Sequence, residues 1–226
     1  MCRMFGMVAT TTTSPRDLLH DSPRSLRALS REHPDGWGLA VCDGDWVVER
    51  GTTCAEASAR YRELADRRGR VVIAHIRKAT VGPIALANTH PFQRGRFVFA
   101  HNGTLDPAPL AAQTAPEHLA AVAGDTDSER LFAFLLTRID ESGSVALGLA
   151  RGATALHAQT GSASFLFSCG DHLYAHRFGR QLFVAQRAGV AIVASEPLTL
   201  TEDTWSELPD RVLVELAPGA PALLAA

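Results

Sequence analysis

Apolar positions follow two periods along this chain, alternate or continuous in short runs near both ends and every third or fourth residue in the middle. Residues 2–9 are apolar enough for a first strand, and Gly6 within it allows another element to approach the backbone. Residues 10–14 are polar and read as a loop. Residues 15–19 and 23–31 read as short helices, each with a proline near its start. His33-Pro34-Asp35-Gly36 is a turn signal. Residues 37–42 and 46–50 flank Asp43-Gly44-Asp45 and predict a hairpin. Residues 55–68 predict one helix, closed by Gly69 as the residue after its end. Residues 71–76 and 97–101 are continuous apolar strands, the second followed by Asn102-Gly103.

The centre of the chain is helical. Residues 107–123 are alanine-rich and predict partial helix. Thr126-Asp127-Ser128-Glu129 has the capping-box spacing before the apolar run 131–139, the firmest helix in the chain. Residues 145–158 predict another helix, interrupted by glycines. Strand-like runs follow at 163–169, 172–177, 181–186, 190–195 and 211–216, several at hairpin spacing. Strands at both ends around a helical centre predict an α+β fold with largely antiparallel sheets, rather than a doubly wound parallel one.

Composition adds mainly exclusions. The 226 residues suit one domain, with no composition break to mark a second. A hydrophobic content of 46% and a charged content of 20% are those of an ordinary soluble enzyme. A net charge of −2 gives no reason to expect nucleic acid or an anionic membrane as partner. No apolar run approaches the ~20 residues of a membrane helix, and the N-terminus does not read as a signal peptide. Cys2, Cys42, Cys54 and Cys169 show neither a C-x-x-C pair nor zinc-ligand spacing. The expectation is a cytoplasmic chain with reduced thiols and no metal or other cofactor.

Candidate chemistry begins at Met1-Cys2-Arg3-Met4-Phe5-Gly6. Removal of Met1 would leave a thiol and an α-amine on one residue. An amine titrating near pH ~8 can take the thiol proton, directly or through a water. The ordinary alternative is a small buried cysteine at the start of a strand, which this stretch alone favours. Arg77 leaves the strand 71–76 and can present a fork to a carboxylate; it could equally pair with a nearby Asp or Glu. Asn102-Gly103 at a strand end offers a side-chain amide beside a backbone N–H, the parts of an oxyanion hole, although Asn-Gly is more often a plain turn. Asp127 could receive a substrate ammonium; a place at a helix N-terminus is sufficient to explain it. His75, His90 and His101 lack fixed ligand spacing, and His172 and His176 lie four apart on a strand, so metal binding ranks behind structural roles.

In order along the chain, these pieces resemble the class II glutamine amidotransferases, whose glutaminase domain is an N-terminal-nucleophile hydrolase. The stretches that carry the resemblance are Met1–Gly6 as quoted, Asp35-Gly36-Trp37-Gly38, Ala74-His75-Ile76-Arg77-Lys78-Ala79-Thr80, Asn88-Thr89-His90-Pro91-Phe92, Ala100-His101-Asn102-Gly103, Thr126-Asp127-Ser128-Glu129 and Ala194-Ser195-Glu196-Pro197. Each is weak alone; together and in order they are specific. The similarity is strongest to stand-alone members, and extends to the hydrolase of ergothioneine biosynthesis and an amidase subunit that degrades glutathione.

The resemblance implies a four-layer αββα sandwich over residues 1–226, with a loop at 88–92 covering the site. It also implies roles. Cys2 would be the nucleophile, with its own α-amine as base. Arg77 would hold the substrate α-carboxylate and Asp127 its α-ammonium. The Asn102 amide and Gly103 N–H would stabilise the oxyanion. The implied reaction cleaves the γ-amide of glutamine or a γ-glutamyl amide through a γ-glutamyl thioester. Lys78 stands where synthase-type members carry an aromatic residue, and Val81 where they often carry a His, which weighs against free glutamine. No ammonia-consuming domain is apparent by residue 226, so either a partner subunit takes the ammonia or the enzyme is a simple hydrolase. A catalytically silent subunit that binds a partner or an amino acid is the reading of another class.

Overall fold

The computed structural model describes residues 2–200, 203–218 and 222–224. Met1, on whose removal a free α-amine at Cys2 depends, lies outside them. Strand β1 (Arg3–Thr13) includes Thr10 to Thr13, where a loop was expected. Their β-branched side chains suit a pleated backbone, and Thr10 N–H bonds Gly189 O at 2.9 Å. A π-helical turn (Asp17–Asp21) and α1 (Leu26–Leu29) follow, then the hairpin β2 (Trp37–Asp43) and β3 (Asp45–Gly51). Gly44 turns that hairpin at φ +98°, a conformation that suits glycine.

The single helix expected at 55–68 is divided. A 3₁₀ turn (Ala55–Ala57) is followed by α2 (Ala59–Ala65), because the Ser58 hydroxyl accepts from Tyr61 N–H and starts a new helix. Gly69 is not a helix terminator but the first residue of β4 (Gly69–Ile76). A Cβ there would lie 2.6 Å from Val41 Cγ1, so close strand packing explains the glycine.

A 3₁₀ turn (Leu86–Asn88) leads into β5 (Phe92–Arg94) and β6 (Phe97–Leu105). Helices α3 (Pro107–Ala111), α4 (Pro116–Ala120), α5 (Asp127–Ser142) and α6 (Val145–Leu156) come next. The chain continues as β7 (Gly161–Ser168), β8 (Leu173–Arg177), β9 (Phe183–Arg187), β10 (Val190–Ala194), β11 (Ser206–Glu207), β12 (Val212–Leu216) and β13 (Ala222–Leu223).

The strands form two sheets, ordered β11-β9-β10-β1-β4-β2-β3 and β13-β12-β8-β7-β6-β5. Every pairing among the described residues is antiparallel. The two-residue period divides the apolar side chains between faces. From β1, Met4 and Val8 join Ile73, Ala100, Leu166 and Val193 between the sheets. Phe5, Met7 and Ala9 face outward onto Leu18, Leu26, Tyr61 and Leu64. On the second sheet Phe99, Phe165 and Phe167 face outward onto Phe132, Leu135 and Leu149 of α5 and α6. The layers are therefore α, β, β, α. Gly6 keeps the sheets close: a Cβ on it would stand 3.0 Å from Leu166, Leu173 and Val193. Gly148 likewise lets α6 lie on α5, since a Cβ there would come 2.5 Å from Ile139 Cα. No helix among the described residues is long and apolar enough to cross a membrane.

Candidate active site

The apolar layer between the sheets gives way to polar side chains at one end. In β4, His75 has the parity of Val71 and Ile73, and in β6, Asn102 has the parity of Val98 and Ala100, so both point between the sheets. They meet there, with His75 Nε2 3.1 Å from Asn102 Oδ1. The Asn102 Nδ2 donates to Cys2 O at 3.2 Å. An amide oxygen only accepts, so His75 carries its proton on Nε2 and aims the Asn102 NH₂ at Cys2. Burial pushes His75 down to about 3, so it is a neutral donor at working pH. His90, 4.4 Å from His75 between ring centroids, is held well below its ordinary range for the same reason.

Pairing of Arg3 with Ile76 sets Cys2 beside the segment that leaves β4. Lys78 N–H donates to Cys2 Sγ at 3.2 Å. Burial pushes the Cys2 thiol up, against smaller opposing effects of the Lys78 N–H and the charges of Arg77 and Arg3. A thiol in this state needs a base before it can attack. The Ser195-Glu196 pair pins the start of β1: Ser195 Oγ accepts from Met4 N–H at 3.1 Å and Glu196 pairs with Arg3 at 3.0 Å.

Arg77 is buried, and among the described residues it forms no ion pair. Its guanidinium donates to the carbonyls of Pro83, Val81 and Gly82 at 3.0, 3.1 and 3.3 Å. Among the described residues no Asp or Glu is in direct ion-pair contact with it, so a buried cation is left in the site with the more distant charge of Asp35 acting on it. Desolvation lowers its affinity for the proton. Asp35 and Gly36 frame this segment: Asp35 Oδ2 accepts from Ala79 N–H at 2.8 Å, and Gly36 O from Arg77 N–H at 2.8 Å. Gly38 is required by the loop at 88–92, because a Cβ would stand 2.0 Å from His90 O.

Asn102 and Gly103 do not follow a strand. They lie within β6, paired with Ser164 and Ala163, so the turn alternative is excluded as well. Gly103 has no room for a side chain: a Cβ would be 2.0 Å from Ser162 O and 2.5 Å from His101 Nε2. Nor does the expected capping box form. The Thr126 hydroxyl makes no capping bond, and the buried Glu129 carboxylate accepts from Ala123 and Gly124 N–H at 3.1 and 2.6 Å and pairs with Arg94 at 2.7 Å. The loop before the helix uses that carboxylate instead. Asp127, at the first turn of α5, accepts from Leu105 N–H at 2.8 Å through Oδ2. It therefore ties the helix to the end of β6 rather than capping its own helix.

Cys2, Arg77, Asn102, Gly103 and Asp127 line one cavity of about 230 Å³. Its wall also contains Lys78, Asn88, His90, His101 and Arg180, none of which composition or spacing had marked as a site residue. Asn88 and His90 place the 88–92 loop in the cavity wall, and Asn88 Oδ1 ties it to Asp125 N–H at 2.8 Å. His101 bonds Ser128 Oγ at 2.9 Å, behind Gly103. Arg180 follows β8 in an undistinguished turn, and no sequence signal could have assigned it to this cavity. Among the described residues no group of three His, Cys, Asp or Glu side chains could hold a metal ion.

The family model for the class-II glutamine amidotransferases matches residues 1–189. A γ-glutamyl-hercynylcysteine sulfoxide hydrolase of Mycobacterium tuberculosis is 31% identical over 96% of this chain and 93% of its own. A glutamine–fructose-6-phosphate aminotransferase of Pseudomonas syringae is 28% identical over 90% of this chain but only 33% of its own. Among solved structures, the B. subtilis glutamine phosphoribosylpyrophosphate amidotransferase superposes with a TM-score of 0.74 at 20% identity, over 98% of this chain and 48% of that one. A glutamine aminotransferase class-II domain protein from Silicibacter pomeroyi superposes with a TM-score of 0.68 at 23% identity, covering 100% of both chains. The αββα sandwich is thus that of the N-terminal-nucleophile hydrolases, and this chain is an enzyme that belongs to the class II glutamine amidotransferase family.

Proposed function

We propose that this enzyme is an amidohydrolase that cleaves the γ-amide of a γ-glutamyl substrate with Cys2 as nucleophile, within one amidotransferase type 2 domain. The observation that carries the proposal is the convergence of a thiol, an oriented amide, an unpaired buried arginine and a carboxylate on one cavity. Arg77 binds the α-carboxylate of the glutamyl head and Asp127 its α-ammonium. With Met1 removed, the α-amine of Cys2 takes the thiol proton and Sγ attacks the γ-carbonyl carbon. Charge gathers on the carbonyl oxygen, where Asn102 Nδ2 and Gly103 N–H donate to it. The C–N bond breaks as the α-ammonium returns the proton to the leaving nitrogen. Water then hydrolyses the γ-glutamyl thioester, giving glutamate and the free thiol.

A more specific reading has an observation of its own. The hydrolase relative from M. tuberculosis aligns over nearly the whole of both chains, whereas the aminotransferase relative aligns over a third of its length. This supports a hydrolase of a γ-glutamyl amide larger than glutamine, rather than an ammonia donor to a partner subunit. The test is intact mass before and after treatment with a glutamine-like diazoketone. The expected result is loss of Met1, one adduct at Cys2, and no turnover by a folded Cys2→Ala variant. Turnover by Cys2→Ala at the wild-type rate would refute the mechanism. A retained Met1 with no labelling would favour the silent subunit.

A further inference from the structure

The cavity holds more positive charge than a glutamyl head can use. Arg77, Lys78 and Arg180 line it against a single carboxylate, Asp127. The glutamyl head is a zwitterion, and in the proposed function it takes Arg77 and Asp127. Lys78 and Arg180 are then left without a counter-charge. Lys78 is exposed and can stay hydrated. Arg180 is half-buried, and its Nε is shielded from water and has no hydrogen-bond partner. Among the described residues it forms no ion pair, in contrast to Arg177, which pairs with Glu207 at 2.8 Å.

The backbone at Arg180 is also held in place. Buried Ser164 Oγ donates to Arg180 O at 2.6 Å and accepts from Phe178 N–H at 3.0 Å. Gly179, at φ +75°, closes the turn and donates to Asp210 at 2.8 Å. Ser164 is the cross-strand partner of Asn102. Arg180 thus approaches the site from the β7–β8 flank of Asn102. The Arg77 contacts lie on the opposite flank: its guanidinium and the Asn88 amide both bond Pro83 O, at 3.0 and 3.1 Å, and Asn88 precedes β5. With the α-carboxylate of the glutamyl head taken up on the Arg77 flank, as in the proposed function, the Arg180 flank is open to the leaving amine. Burial lowers the proton affinity of His101, the Asp127 charge opposes this, and the Arg180 charge adds a smaller lowering.

We infer that Arg180 is a specificity residue that binds a carboxylate on the leaving-amine side, so that the substrates are γ-glutamyl amino acids or peptides rather than glutamine. The inference rests on the proposed function. An arginine fork meets a carboxylate with two parallel charge-assisted hydrogen bonds, which a neutral amine cannot accept.

The test compares γ-glutamylglycine with γ-glutamylethylamide, which differ at the leaving group by a carboxylate in place of a methyl. Wild-type kcat/KM is expected to favour the glycine compound by about 10- to 100-fold. Arg180→Gln, shown folded by thermal unfolding, brings the ratio to within about threefold of one, and Arg180→Lys retains an intermediate ratio because it keeps charge but loses the fork. A wild-type ratio near one overturns the inference, as does an Arg180→Gln variant that slows both compounds equally; either leaves the proposed function standing. Hydrolysis of neither compound, together with an unlabelled Cys2, refutes the proposed function and this inference with it.

Discussion

Replacing Asn102 by alanine separates the oxyanion role from a structural one. The side chain bridges His75 Nε2 at 3.1 Å and Cys2 O at 3.2 Å, and is buried. Losing one preorganised oxyanion donor costs about 10²–10³ in kcat, or about 2.7–4 kcal/mol in the barrier. KM is expected to change little, since Arg77 and Asp127 hold the glutamyl head. Stability falls separately, because the His75 Nε2–H loses its acceptor in a water-free layer. An unsatisfied buried donor costs about 1–3 kcal/mol. In a chain of this size each kcal/mol lowers Tm by about 2–4 °C, so the midpoint falls by about 2–12 °C. Asn102→Asp keeps an acceptor for His75 but puts an anion where the oxyanion forms, so its kcat falls at least as far. Steady-state kinetics on γ-glutamylglycine and thermal unfolding by circular dichroism measure both effects. An Asn102→Ala enzyme with kcat within threefold of wild type would remove Asn102 from the mechanism.

Gly148→Ala puts a Cβ 2.5 Å from Ile139 Cα and 2.6 Å from its N, so α6 must move off α5. The expected loss is about 1–3 kcal/mol by chemical denaturation, although alanine is the better helix former; a stabilised variant would show that the helices separate freely. The buried histidines set a pH dependence. Burial holds His75 and His176 at about 3, against an ordinary 6.5. Both are neutral in the folded chain, whereas the unfolded chain takes up their protons below pH 6.5. Their contribution is therefore complete above pH 6.5 and lost progressively as pH falls towards 3. Between pH 6 and pH 5 each takes up about 0.9 proton on unfolding, so the two together remove about 2–3 kcal/mol. Urea unfolding at these two pH values measures it, and an unchanged stability would mean that the rings are already charged in the folded protein.

Local pattern was enough to determine the α+β class, most of the strands and the helix beginning at Asp127, whereas the residues around which the cavity is built were marked by the family resemblance, local pattern having left each of them an ordinary alternative. The elements are legible because apolar periodicity reports which face of an element is buried, and the motif residues stand next to the strands and helix that carry them. Tertiary structure decided the rest. Thr10 to Thr13 are strand because neighbouring strands were there to pair with them. Gly69 and Gly148 serve close packing between elements distant in sequence. Asn102-Gly103 has a turn signature that the ladder to β7 overrides. Glu129 has a capping position, and a loop with unsatisfied N–H groups takes it instead. Arg180 enters the cavity only because Ser164, beside Asn102 on the next strand, holds its turn there. Propensity acts over a few residues. Which buried donor meets which acceptor, and which charge is left without a partner, is decided only when strands far apart in sequence are stacked.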